Sequence, residues 1–96
     1  MADEYKVFTI PAFNRVARVF VTSYPEFARI YERALEILRR DALNREGDRD
    51  ILKLEFIPIG DGQYRLRVGR YRFRYDVHGK IVILKWCGIS RDEAGN

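Results

Sequence analysis

The clearest pattern in the sequence is an alternation of apolar and polar positions over residues 64–86. Such alternation predicts strands that have one buried face and one exposed face. Gly69 with Arg70, and His78 with Gly79, each predict a two-residue hairpin turn within this segment. The segment therefore predicts three antiparallel strands joined in a meander.

One face of this meander is predicted to be apolar and the other basic. Counting outward from the turns places Arg67 opposite Arg72. Arg65 falls opposite Arg74 in the same hairpin, and Arg72 falls opposite Lys85 in the second one. A slip of one residue would bury these arginines, so the register is strongly specified. The predicted apolar face consists of Tyr64, Leu66, Val68, Tyr71, Phe73, Tyr75, Val77, Val82, Leu84 and Trp86.

The first half of the chain predicts one strand and two helices. Residues 5–10 (YKVFTI) are mostly β-branched or aromatic, which is typical of a strand. Pro11 suits the first turn of a helix, whose apolar side chains recur at helical spacing: Phe13, Val16, Ala17, Phe20 and Val21. Residues 23–26 (SYPE) have the form of a capping box, so a second helix is predicted to start there. Its apolar stripe is Phe27, Ile30, Tyr31, Ala34 and Leu38, with Ala42 as an optional last member.

Together these elements predict an α+β fold. A small antiparallel sheet, made of the N-terminal strand and the three-strand meander, is expected to pack on a two-helix hairpin. Residues 51–56 are compatible with either a strand or an extended loop. We expect a single domain over residues 1–96.

Composition restricts the class of protein. The chain has 96 residues, of which 47% are hydrophobic, so one compact core is expected. The sequence lacks an apolar run of about 18 residues, and its acidic start, MADEYKVF, is unlike a secretory signal. We therefore expect a cytoplasmic protein without a membrane partner. The single cysteine, Cys87, argues against disulfides and cysteine-based metal sites, and we expect neither a metal nor an organic cofactor.

Positive charge is concentrated in one segment. The chain has a net charge of +4, but residues 64–85 carry seven basic side chains against Asp76 alone. Directly opposed like charges destabilise a strand pair by roughly a few tenths of a kcal/mol. A face selected only for solubility would mix charges of both signs. A face of one sign, rich in planar guanidinium groups, favours binding of a polyanion such as nucleic acid over a merely solvated surface.

The same segment carries a family resemblance. The string KLEF, followed by GQYRLRVGRYRFRYDV and GKIVIL, resembles the RelE/ParE superfamily of bacterial and archaeal toxins. The resemblance covers nearly the whole chain and implies a small antiparallel sheet with a helical hairpin on one face. It also implies a cognate antitoxin that wraps the toxin and blocks its basic face.

RelE-like members cut mRNA in the ribosomal A site, and the resemblance implies roles for individual residues. Arg65 and Arg67 stand where such members keep basic residues that bind and activate RNA. Arg72 stands where an arginine contacts the scissile phosphate, and Arg91 stands near an arginine that follows the last strand. These four arginines are the candidate catalytic residues. The candidate phosphate-binding residues are Arg65, Arg67, Arg72, Arg74 and Lys85.

The implied reaction is attack of a 2′-hydroxyl on the neighbouring phosphate. Guanidinium groups can stabilise the charge that develops, but they stay protonated, so a separate base and acid are needed. Many ribonuclease members carry a histidine or tyrosine after the last strand, whereas this chain ends in WCGISRDEAGN. His78 is predicted in a turn, and Glu55 on a surface loop. Asp76 is predicted to balance Arg74 or Lys80.

Three functions remain open. The favoured one is the toxin of a type II toxin–antitoxin system that cleaves mRNA on the ribosome. The missing terminal histidine or tyrosine favours a second one, a ParE-like toxin that inhibits DNA gyrase. The third is a non-catalytic basic binding module, or a toxin that has lost its activity. The predicted partner of a toxin is an antitoxin whose acidic segment neutralises the basic face.

Overall fold

The computed structural model describes residues 4–89, which form a five-stranded sheet covered on one face by two helices. In chain order the elements are β1 (Lys6–Thr9), α1 (Pro11–Ser23), α2 (Phe27–Asp41), β2 (Ile51–Lys53), β3 (Tyr64–Val68), β4 (Tyr71–His78) and β5 (Ile81–Ile89). The strands lie side by side in the order β1-β5-β4-β3-β2. The predicted α+β class is confirmed, as are the N-terminal strand, the two helices and the meander.

The sheet is mixed, whereas an antiparallel sheet was predicted. β1 pairs with β5 in parallel, with Val7 opposite Val82, and the other neighbouring strands are antiparallel. A parallel pair needs a long crossover connection, which here contains both helices and the other three strands. Residues 51–56, which allowed two interpretations, contain the short strand β2 and the start of a loop that runs to β3.

The first hairpin has the predicted register. All the predicted pairs between β3 and β4 are present, including Arg67 opposite Arg72. Gly69 opens the turn at a φ of 60°, a left-handed conformation that glycine adopts without strain. The alternation along β4 directs Tyr71, Phe73 and Tyr75 into the core, where each is at most 1% exposed.

The predicted turn of the second hairpin is wrong by one residue. Gly79 and Lys80 are the turn residues, and His78 stays in β4 opposite Ile81. The reason is conformational, because Gly79 takes the left-handed φ of 60° at the first turn position, as Gly69 does in the first hairpin.

A bulge in β5 changes the pairing further along the same hairpin. Tyr75 lies opposite Leu84, but the preceding residue, Arg74, lies opposite Trp86. Lys85 is therefore an extra residue in β5. The side chains after it lie on the opposite faces from those that an unbroken alternation predicts. The predicted positions of Trp86 on the apolar face and of Lys85 opposite Arg72 are wrong.

The bulge exchanges two side chains between the faces of the sheet. Trp86 is 43% exposed on the side opposite the helices, whereas Cys87 lies opposite Phe73 and is 1% exposed. Gly88, instead of Lys85, takes the position opposite Arg72. The bulge therefore adds an aromatic ring to the arginine-bearing face and a thiol to the core.

The core is an aromatic cluster between the sheet and the helices. Phe27 of α2 is fully buried and packs edge-on against Tyr71, with 5.3 Å between the ring centroids. It also stacks on Phe73 at 6.1 Å. Burial raises the pKa of Tyr75, whose hydroxyl donates a hydrogen bond of 2.8 Å to the carbonyl of Ala42. Neither helix in residues 4–89 is long and apolar enough to cross a membrane.

The predicted capping box is absent. Ser23 is the last residue of α1, and α2 begins at Phe27 without a side-chain cap. Glu26 instead accepts hydrogen bonds from the Tyr71 hydroxyl at 2.6 Å and from Arg70 at 2.9 Å. The Tyr71 hydroxyl, the backbone N–H of Glu26 and the Arg70 guanidinium lower the pKa of Glu26 to about 2. Glu26 thus ties the start of α2 to the first hairpin.

We predict that Glu26→Gln removes part of the acid sensitivity of the fold. Because the pKa of Glu26 is depressed in the folded chain, its stabilising effect is complete above the unfolded value of 4.5 and is lost as the pH falls towards about 2. The variant should be less stable than the wild type at pH 7, and the two should converge as the pH is lowered through this window. Urea unfolding at several pH values measures the difference. Glu32→Gln, on the exposed side of α2, is the matched control, and a Glu26→Gln deficit independent of pH would contradict the assignment.

We predict that Cys87 resists thiol reagents in the folded protein. The thiol is buried, and burial raises its pKa to about 11. Its reaction with an aromatic disulfide at pH 8 should be slower than in the urea-unfolded chain by about 100-fold or more, because it requires local opening. Fast labelling of the folded chain would place Cys87 on the outer face and would show that the bulge is absent.

Candidate functional site

The candidate site is the face of the sheet that the helices leave uncovered, here called the outer face. Strands β3 and β4 bring Arg65, Arg67, Arg72 and Arg74 together on it as two opposed pairs. β5 contributes Lys85, and the bulge brings Trp86 to the same face. The predicted clustering of the four arginines is therefore present. Arg91 lies outside the described residues.

Arg65 and Arg67 share one carboxylate. Asp50, just before β2, accepts a hydrogen bond from Nη2 of Arg65 at 2.8 Å on one oxygen. Its other oxygen accepts from Nε of Arg67 at 3.0 Å. The backbone carbonyl of Asp50 also accepts the amide of Arg67 at 2.9 Å. This bridge offsets the repulsion between the two guanidinium groups and fixes their orientation.

Arg74 is held by the loop between β2 and β3. Its Nε and Nη2 donate to the carbonyl of Gly62 at 3.1 and 3.0 Å, and Nη2 also donates to the carbonyl of Asp61 at 2.9 Å. Gly62 has a φ of 82°, and a Cβ added there would lie 3.1 Å from Cβ of Arg74. Arg74 therefore contributes charge to the outer face, but several of its donors are already engaged.

Asp76 anchors the same loop from beneath. It is 1% exposed, and its two oxygens accept the amides of Gly62 and Gln63, both at 3.0 Å. The prediction that Asp76 balances Arg74 or Lys80 is wrong, because these backbone donors take both of its carboxylate oxygens. Such a carboxylate is a structural acceptor and is poorly placed to take a proton from a substrate.

Arg72 differs from the other three arginines. Among residues 4–89 it has no salt-bridge partner, and its buried Nε has no hydrogen-bond acceptor. It is half-buried between Arg67 on β3 and Gly88 on β5. An unpartnered guanidinium in partial burial binds an incoming anion more strongly than an exposed one. Arg72 is thus the arginine best placed to receive a phosphate.

Lys85 and Trp86 line a cleft beside Arg74. The cleft has a volume of about 400 Å³ and is bounded by Ile10, Gly60, Asp61, Arg74, Lys85 and Trp86. Its lining combines two cations, one acidic residue, an aromatic ring, an isoleucine and a glycine. The sequence pattern predicted Trp86 in the core. Gly88, two residues later, could have indicated the outer face instead, because a glycine on the same face leaves room for a large ring.

The outer face supplies positive charge without an acid–base pair among the described residues. His78 is exposed at the end of β4, and Glu55 is exposed in the loop after β2. The thiol of Cys87 is buried with a raised pKa, so it is not a nucleophile. Arginine stays protonated. The described residues can therefore bind and orient a phosphodiester and stabilise added negative charge on it.

Three carboxylates lie close together near the end of α2. They belong to Asp41, Glu46 and Asp48. Both oxygens of Asp41 accept backbone amides, from Arg45 at 2.8 Å and from Glu46 at 3.0 Å. The cluster is explained by this C-terminal turn, and we assign no metal to it.

Comparison with known proteins identifies the fold. No family model matches the sequence. No curated protein matches it either. Among solved structures, the chain is similar to the archaeal RelE–RelB complex from Pyrococcus horikoshii, with a TM-score of 0.63 and 21% sequence identity over 93% of this chain and 98% of that chain. The resemblance predicted from residues 64–75 is therefore confirmed at the level of the fold, and the chain has the RelE fold.

Proposed function

We propose that this chain is the toxin of a type II toxin–antitoxin system and that it cleaves mRNA on the ribosome, in the cytoplasm. The RelE fold supports the class of protein. The observation that carries the proposal is Arg72, an unpartnered guanidinium in the middle of a basic sheet face. A surface built only for solubility would leave such a group exposed or paired.

In this proposal the arginines act on the phosphate rather than on the proton. Arg72 binds the scissile phosphate and stabilises the charge that develops as the 2′-hydroxyl attacks. Arg65 and Arg67, oriented by Asp50, bind the flanking phosphates. Arg74 and Lys85 extend the positive surface to the cleft. The catalytic role of Arg91 is carried over from the family resemblance and belongs to the same proposal.

We also propose a protein partner. The solved structure to which this chain is similar is described as a complex of RelE with RelB. A segment with acidic side chains would compete with RNA for the basic face, because both present negative charge to the same guanidinium groups. A cognate antitoxin that covers this face in a 1:1 complex would therefore silence the toxin.

A second candidate function is inhibition of DNA gyrase. The observation that favours it is that the described part of the outer face holds cations but no acid–base pair. A toxin that poisons another enzyme needs a binding surface and no proton transfer of its own. Gyrase-linked DNA breaks without mRNA cleavage would favour this candidate, and tight antitoxin binding without growth arrest would favour a non-catalytic module.

We predict that Arg72→Ala lowers ribosome-dependent cleavage by about 100-fold or more, the range seen when one donor to a developing oxyanion is removed. Primer extension on a translated message measures the cuts. Arg33→Ala removes an arginine from the exposed side of α2 and serves as the matched control. Far-ultraviolet circular dichroism and urea unfolding confirm that both variants fold.

The outcomes separate the candidates. Cleavage that needs ribosomes and is lost only in Arg72→Ala supports the proposal. Full cleavage by Arg72→Ala would rule out the role given to this guanidinium. Growth arrest by the wild type without any cut would rule out the ribonuclease.

We predict opposite effects of Asp50→Asn on folding and on RNA binding. Without the bridge, Arg65 and Arg67 repel each other, and stability should fall by about 1 kcal/mol or less, because the pairs are partly exposed. Affinity for single-stranded RNA should rise several-fold, because the carboxylate no longer occupies the guanidinium groups. Asp48→Asn makes the same charge change beside Arg49, away from this bridge. Equal affinity gains in the two variants would mean that the gain comes from net charge alone. That result would contradict the role of the Asp50 bridge.

A further inference from the structure

Trp86 is a large apolar side chain exposed beside the cations of the outer face. It is 43% exposed, follows Lys85 in β5 and lies opposite Arg74 in β4. β1 ends at Thr9 opposite Leu84, so the part of β5 that carries Trp86 has β4 as its strand neighbour in the described sheet. The indole therefore belongs to the arginine side of the outer face.

The indole also has a defined position, packed against Gly88. A Cβ added to Gly88 would overlap Cη2 and Cζ2 of Trp86 and would lie 3.1 Å from Cζ3. The ring thus rests against bare backbone at the one position on β5 that lies opposite Arg72. Contact with Gly88 restricts the ring and brings it towards the arginine that we assign to the scissile phosphate.

We propose that Trp86 is a stacking platform for a nucleobase of single-stranded RNA. This inference rests on the proposed function. Proteins bind single strands by combining cations that follow the phosphates with aromatic rings on which bases stack. The outer face supplies both: Arg74 and Lys85 line the same cleft as the indole, and Arg72 lies opposite Gly88, against which the ring packs. The cleft of about 400 Å³ beside the ring lies within the range of pockets that take small ligands.

A nucleobase fits this position better than an apolar side chain from a protein partner. The purely apolar part of the outer face lies elsewhere, where Phe8 on β1 is paired with Ile83 on β5. Trp86 lies beyond the end of that patch, next to cations that an apolar side chain would leave unsatisfied. A base linked to phosphates engages the ring and the cations together.

Trp86 is the only tryptophan in the chain, so its fluorescence reports the proposed contact directly. A labelled single-stranded oligoribonucleotide of about ten nucleotides covers one such binding site. Anisotropy should show that Trp86→Leu binds it about 5- to 150-fold more weakly, the range for loss of one stacked base, whereas Trp86→Phe retains most of the affinity. Saturating oligonucleotide should quench Trp86 emission, and saturating inorganic polyphosphate should quench it much less.

Phe8→Leu is the matched control, because Phe8 is an aromatic side chain of the same face that is 52% exposed in the apolar patch. It should bind RNA like the wild type. Urea unfolding confirms that the variants fold, and Trp86→Phe keeps the test valid if Trp86→Leu is unstable.

The inference is overturned if Trp86→Leu binds the oligonucleotide like the wild type, if the wild type does not bind it, or if polyphosphate quenches as strongly as RNA. Loss of antitoxin binding without loss of RNA binding would assign Trp86 to the protein partner and would also overturn it. Primer extension with the wild type tests the proposed function separately. Arg72-dependent cuts together with unaltered RNA binding by Trp86→Leu would refute the stacking role alone, whereas absence of cuts would refute the ribonuclease.

Discussion

The alternation along β4 is the constraint on which both faces of the sheet depend. Tyr71, Phe73 and Tyr75 bury their rings against the helices, and Arg72 and Arg74 consequently face away from them. A shift of one residue would expose three aromatic rings and bury two guanidinium groups, and each exchange is strongly unfavourable. The folding energy of the core therefore fixes the position of the cations. The like charges on the outer face are tolerated because the core determines the register.

Two further features give the residues of this basic surface different environments. Asp50 and the loop before β3 engage Arg65, Arg67 and Arg74, so that of the four arginines on β3 and β4 only Arg72 has no partner among the described residues. The bulge at Lys85 then turns Trp86 towards the same face. The outer face thus combines, beside one another, guanidinium groups oriented by the protein, the unpartnered guanidinium of Arg72 and the indole of Trp86.

Sequence reasoning succeeded where the determinants are local and periodic. The register of the first hairpin follows from one glycine turn and an unbroken alternation, and the helices follow from apolar spacing. The second hairpin could not be predicted in the same way. A two-residue turn at Gly79 can include either His78 or Lys80, and the bulge depends on tertiary packing.

Asp50 lies 15 residues before Arg65, so no local pattern indicates their pairing. The capping-box motif misled because α2 begins only at Phe27, so Glu26 precedes the helix and its carboxylate binds Tyr71 and Arg70.

The most direct test of the outer face as the RNA-binding surface is nuclear magnetic resonance mapping. Backbone amide and arginine Nε–H shifts would be followed while single-stranded RNA is added to the folded chain. We predict the largest changes at Arg65, Arg67, Arg72 and Trp86, with Val19 on α1 and Arg33 on α2 unaffected, because the helices cover the opposite face of the sheet. Changes centred on the helices, with the outer face unperturbed, would contradict the assignment.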